Sequence, residues 1–189
     1  MPISAGQHGS EPLGGRAVDF ISRGETMTDP STKPELIEAM LAARAEFDSL
    51  LQRIPRSKMS RPPAQGEWSI KDIVAHINSY DRWLGLGLAL RGLKPPASWI
   101  EDIPLDEFNH RLYEENRDLP LTEVLAQSQE LWSHILEEVR AKAEDFLFSE
   151  QSVQGVTRPF RPCDILKSES YGHYLDHVPA LKSWIEANR

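Results

Sequence analysis

The sequence predicts an all-α protein, a four-helix bundle with a long crossover between helices 2 and 3. Three observations carry that prediction. Four long segments repeat apolar residues at steps of three and four, which builds one buried stripe along a helix. No stretch alternates convincingly with the period of two that a half-buried strand needs. Two of the four segments open on a capping box, a local signal for a helix N-terminus.

The pattern begins only after residue 26. Before it lie Gly6, Gly9, Gly14, Gly15 and Gly24 with few large apolar side chains. Such a stretch cannot bury enough surface to offset its ordering entropy, so residues 1–26 read as a flexible tail, an extension or a docking arm. It has no long apolar core of a secretory signal. The folded unit is expected over residues 27–189, with Met27 where the pattern starts.

The first helix opens at Thr32-Lys33-Pro34-Glu35. Thr32 and Glu35 have capping-box spacing, and the proline falls where a helix N-terminus lacks intrahelical N–H partners anyway. Leu36, Met40, Ala43, Phe47, Leu50 and Ile54 form its stripe, and Pro55 ends it. Arg56 to Glu67, with Pro62, Pro63 and Gly66, reads as a loop. The second helix opens at Ser69, with Asp72 three residues on. Its stripe is Ile73, His76, Ile77, Tyr80, Trp83 and Leu84, and it runs to about Gly92 before Lys94-Pro95-Pro96 breaks it. The connector from Lys94 to Leu119 holds a shorter helical stretch, Glu107 to Asn116, and is long enough for a crossover. The third helix starts near Pro120, carries Leu121, Val124, Leu125, Ser128, Leu131, Ile135 and Val139, and extends to about Phe148. Gln151 to Pro162 is a loop or a small extended excursion. The fourth runs from about Asp164 to Asn188, with Leu166, Glu169 or Ser170, His173, His177, Leu181 and Trp184 facing inward.

Composition narrows the function classes. The 189 residues include 21 Lys+Arg and 29 Asp+Glu, a net charge of −8. An acidic chain is poorly suited to phosphate backbones, so nucleic acid is not expected as a partner. No apolar run approaches the length of a membrane span, and no membrane partner is expected. One cysteine, Cys163, rules out an internal disulfide or a thiolate-rich metal site, and fits a cytoplasmic protein.

The histidines carry the chemistry. His8 lies in the tail, His110 in the connector, and His134 beside the third helix's stripe; each reads as a surface or boundary residue. His173 and His177 are spaced i, i+4, which stacks them on one helical face. His76 lies on the inward stripe of another helix. All three therefore turn toward the shared core, where bundles build metal sites from facing helices. The same pattern also suits core histidines that are merely hydrogen-bonded. Burying three imidazoles with nothing to bind is costly, which favours the metal. Gly172 before His173 allows close backbone approach, and Pro179 after His177 bends the helix. Glu169, four residues before His173, is a candidate general base or a group that orients an imidazole; it also suits a helix-surface carboxylate. Tyr80, four residues after His76, is a candidate pocket residue and hydrogen-bond donor, or a core aromatic. Cys163 sits at the start of the fourth helix without an obvious base and reads as an incidental thiol.

Two segments resemble a known family. Gly66-Glu67-Trp68-Ser69-Ile70-Lys71-Asp72-Ile73-Val74-Ala75-His76-Ile77 is similar to the second-helix motif of the DinB/YfiT-like metalloprotein superfamily. His173-Tyr174-Leu175-Asp176-His177-Val178-Pro179-Ala180-Leu181-Lys182-Ser183-Trp184 is similar to its last-helix motif. Lys33-Pro34-Glu35-Leu36-Ile37 and the Asn109 to Val124 region resemble the ClbS/DfsB-type branch. The resemblance implies a divalent ion held by His76, His173 and His177, a small-molecule substrate, and a homodimer. Activities it implies include thiol-dependent isomerases and S-transferases, and a self-protection enzyme that hydrolyses a cyclopropane-bearing genotoxin.

Three neutral imidazoles leave a divalent ion its full charge and at least one open position, the arrangement of a catalytic site. Imidazole suits zinc, nickel, iron and manganese, with zinc or nickel foremost here. The expectation is a metal-dependent hydrolase or S-transferase acting on a small electrophile, with a low-molecular-weight thiol as a candidate cosubstrate. The alternatives are a protein that sequesters a small toxic molecule without turnover, and a structural bundle whose histidines only fill the core.

Overall fold

The computed structural model describes residues 29–99 and 103–188. The expected tail over residues 1–26 lies outside them, as does His8. Helix α1 (Lys33–Gln52) begins as the sequence predicts: Thr32 caps Glu35 N–H, and the Glu35 side chain accepts from the Thr32 backbone N–H. Leu36, Met40, Ala43, Phe47 and Leu50 are buried along its length. Helix α2 (Ile70–Tyr80) opens on the second capping box, Ser69 with Asp72. It continues without a break into a π-helical segment, Asp81–Leu90. Gly92 then ends the rod at φ +63°, and Leu93 N–H reaches back to the Gly87 carbonyl. A residue with a side chain would be strained there.

Helix α3 (Leu105–Asn116) lies in the connector and packs on α2. Helix α4 (Leu121–Ala141) buries Val124, Ser128, Leu131, Ile135 and Val139, as expected. It stops seven residues short of the expected end at Phe148. Lys142 turns to an extended conformation (φ −68°, ψ 146°), and a separate short helix α5 (Glu144–Phe148) follows. The break seats Leu147 fully inside the core. Gln151 and Phe160 pair in one isolated bridge, the small extended excursion the sequence allowed. No strand forms among the described residues. The last rod is helix α6 (Pro162–Leu166), a second π segment (Lys167–Tyr171) and helix α7 (Gly172–Ala187). Pro179 sits inside α7.

Side-chain contacts fix the directions of the four rods. Arg44 meets Tyr174 and Glu46 meets Lys182, so α1 and the last rod run parallel. His76 meets His173 while Asp81 meets Ser170, so α2 opposes the last rod. Asn78 meets Val124, Arg82 meets Gln127 and Arg91 meets Glu138, so α2 and α4 run parallel. The topology is up-down-down-up. Two adjacent parallel helices cannot be joined by a tight turn, which is why the chain needs the α3 crossover.

Candidate metal centre

The three sequence-predicted histidines meet. His76 on α2 and His173 on α7 bring their Nε2 atoms to 3.1 Å, and the Nε2 atoms of His173 and His177 lie 3.2 Å apart. The ligating atoms of the three all fall within 4.8 Å of one another. A zinc ion with tetrahedral Zn–N bonds of ~2.05 Å would set neighbouring nitrogens about 3.3 Å apart, and right-angled coordination about 2.9 Å. The two measured separations fall between these values. His76 and His177 are buried, and His173 is half-buried with its Nδ1 shielded.

Electrostatics keep these rings neutral. Burial, and then the nearby His177, push His76 down to about 3. Burial alone pushes His177 down to about 4, and burial with its two neighbours holds His173 well below the ordinary range. At neutral pH all three carry lone pairs, and a cation between them removes their mutual repulsion. The second nitrogens fit the same reading. With Nε2 given to a metal, Nδ1 must carry the proton, and His177 Nδ1 lies 2.8 Å from Gln65 Oε1, placed to donate to it. The Nδ1 atoms of His76 and His173 have no hydrogen-bond partner. Gln65 belongs to the loop between α1 and α2, and no pattern in the sequence singles it out. The donor set of three neutral, converging nitrogens therefore fits a divalent ion.

An aromatic wall surrounds the cluster. Tyr80 sets its ring 4.8 Å from His76 and 4.5 Å from His173. Its hydroxyl donates to Asn109 on α3 at 3.3 Å. Trp68 packs 5.0 Å from His76 and stacks on Tyr113, and Trp99 and Phe108 close against Tyr80. His110 stacks on Tyr113, outside the cluster.

Glu169 is not among the clustered ligand atoms. It is only 4% exposed, and burial raises its carboxyl to about 7, opposed by a hydrogen bond from Ser168. Cys163 is buried too, and burial followed by Asp164 lifts its thiol to about 11. That is the opposite of the thiolate stabilisation a helix N-terminus offers.

The π segment before α7 explains Gly172. Its N–H bonds the Lys167 carbonyl five residues back. A Cβ on Gly172 would stand 2.0 Å from that carbonyl oxygen. The close backbone approach expected at Gly172 is therefore real, and it is made within the helix. π turns widen a helix locally and recur at functional sites.

Comparison with known proteins gives the family and the fold. A family model described as the DinB superfamily matches residues 39–159. The Sibling Lethal Factor Precursor DfsB superposes with a TM-score of 0.67 at 20% identity, over 85% of this chain and 98% of its own. The colibactin self-resistance protein ClbS, solved with a dsDNA, gives 0.67 at 14% identity, over 82% and 96%. YfiT from Bacillus subtilis, described as a probable metal-dependent hydrolase with an unusual four-helix bundle topology, gives 0.54 at 17% identity, over 87% and 93%. At these identities the likeness shows a shared fold. No curated protein matches the sequence. No helix among the described residues is long and apolar enough to cross a membrane.

Proposed function

This chain belongs to the DinB superfamily, and from that premise we propose that it is a metal-dependent enzyme acting on a small electrophilic molecule. The reaction is hydrolysis or transfer to a low-molecular-weight thiol. The observation that carries the reading is the convergence of the His76, His173 and His177 Nε2 atoms at 3.1 and 3.2 Å. The description of YfiT as metal-dependent supports it.

His76, His173 and His177 would hold a divalent ion as neutral donors. Such an ion would supply Lewis acidity and lower the pKa of a water or thiol. The chain's own residues do the rest. Gln65 fixes the tautomer of His177. Tyr80, Trp68, Trp99 and Phe108 exclude water and offer an apolar wall to the body of the substrate. Glu169 is buried one turn before His173 on the same rod, outside the ligand group itself, and stays the candidate general base or orienting carboxylate.

A second reading is sequestration without turnover, supported by the name of ClbS as a self-resistance protein. The dsDNA in the ClbS structure runs against the expectation of no nucleic-acid partner drawn from the net charge of −8, and at 14% identity it is a property of ClbS. The test is metal analysis of untagged protein. About one ion per chain is expected, lost in the double variant His173→Ala, His177→Ala. Equal, substoichiometric metal in both proteins would overturn the enzyme reading. Ligand capture that survives metal removal would favour sequestration.

A further inference from the structure

Behind the histidine cluster lies a buried polar network that the metal reading does not use. The Asp81 carboxylate is 1% exposed and accepts two hydrogen bonds, from Ser170 Oγ at 2.6 Å and from the Tyr174 hydroxyl. The same hydroxyl accepts from Arg44 Nη1 at 3.4 Å. Arg44 is 3% exposed and also donates to Ser128 Oγ on α4 at 3.2 Å and to Asp48 at 3.0 Å. The network therefore joins all four rods.

Its place in the chain is what matters. Asp81 opens the first π segment, five residues past His76. Ser170 lies in the second π segment and Tyr174 directly follows His173. A single carboxylate thus ties the helix carrying one ligand to the rod carrying the other two, at the point where both depart from regular α-helix. A π turn can relax to an α turn, which would rotate the residues beyond it. Two hydrogen bonds to one buried carboxylate oppose that rotation, and a buried carboxylate without its donors would be costly.

We propose that Asp81 is a positioning residue for the histidine cluster. Through Ser170 and Tyr174 it sets the register of α2 against α7, and so makes the three Nε2 atoms converge. Arg44 supplies the compensating charge that keeps the carboxylate inside.

The inference rests on the metal reading in only one of its two measurements. The first is zinc affinity of the full chain, by competition with a chelator. Asp81→Ala and Tyr174→Phe are expected to weaken it at least tenfold, the scale seen when groups that orient metal ligands are removed. Asp81→Asn keeps an acceptor and a donor for the two hydroxyls and should stay within threefold. Leu147→Ala, a core truncation remote from the cluster, should lower the melting temperature and leave affinity unchanged. The second measurement needs no metal: the NOE between the ring protons of His76 and His173, whose centroids lie 4.9 Å apart. It should vanish in Asp81→Ala and Tyr174→Phe and persist in Asp81→Asn and Leu147→Ala. An NOE unchanged in Tyr174→Phe, a variant that removes only one oxygen, would overturn the proposal. Absence of zinc binding by the unaltered protein would overturn the metal reading, and the NOE would still decide this one.

Discussion

Gly172→Ala tests how much the second π segment matters. The added Cβ would stand 2.0 Å from the Lys167 carbonyl oxygen, where ordinary contact begins near 3.4 Å. The gap must open by about 1.4 Å, far more than a side-chain adjustment can give, because the obstacle is backbone. Opening it breaks the Gly172 N–H bond to Lys167, a loss of about 1 kcal/mol. It also shifts Ser170, Tyr171 and Tyr174, all buried, at a cost of roughly 1–3 kcal/mol. The better helix propensity of alanine returns about 0.5–1 kcal/mol. The net is about 1–3.5 kcal/mol of destabilisation, centred near 2 kcal/mol. For a domain of this size the central value corresponds to a fall of about 4–8 °C in melting temperature. Gly87→Ala is the matched control, because its Cβ would lie 3.0 Å from the Arg82 carbonyl oxygen and needs only a few tenths of an ångström. Its melting temperature should stay within about 2 °C of the parent, given that helix propensity offsets the small strain. Thermal melts of metal-free protein by circular dichroism read both. A Gly172→Ala variant as stable as the parent would refute the argument.

Three further outcomes are expected. Burial raises the Glu169 carboxyl to about 7 from an ordinary 4.5. The native state therefore holds its proton more tightly than the unfolded chain, and this contribution to stability is lost as pH rises from 4.5 through about 7. Glu169→Gln removes that loss, so its melting temperature should exceed the parent's above pH 7 and match it near pH 4; the reverse order would exclude the effect. Gln65→Ala should weaken zinc affinity about tenfold by freeing the tautomer of His177, with little change in metal-free stability; chelator competition measures it. Finally, His76 and His177 are held down to about 3 and about 4, so protons compete little with metal above pH 5. Zinc affinity by calorimetry should change less than about tenfold between pH 7 and 5, whereas three exposed imidazoles of ordinary pKa near 6.5 would lose several orders of magnitude.

The helices were legible because an apolar stripe must repeat with the helical period wherever one face is buried. The two capping boxes at Thr32 and Ser69 were legible because they are local chemistry. His173 and His177 announced a shared face by spacing, and His76 joined them by lying on an inward stripe. What stayed hidden depends on contacts between distant segments. The π segments leave no periodic mark; Gly172 was the one local hint, and its partner, the Lys167 carbonyl, is a backbone atom that no sequence pattern displays. Arg44 is a charged residue beside the apolar stripe of α1, yet Ser128 and Tyr174 from two other rods bury it. The break at Lys142 carries neither proline nor glycine. Glu169 shares a helical face with His173, and its burial, which no polar residue type signals on its own, appears only in the packed rods.

The up-down-down-up arrangement has a consequence for how the chain is made. The His76 and His173 contact spans 97 positions, and α1 must pair with the rod made last. Chain emerging from a ribosome can build α1, α2 and α4 while two of the three ligands are still unsynthesised. A fragment ending before α7 carries His76 alone of the three clustered histidines. Contacts this remote in sequence also slow folding relative to a bundle of consecutive antiparallel neighbours. Docking of the last rod is therefore the step at which the core closes and the three histidines first come together.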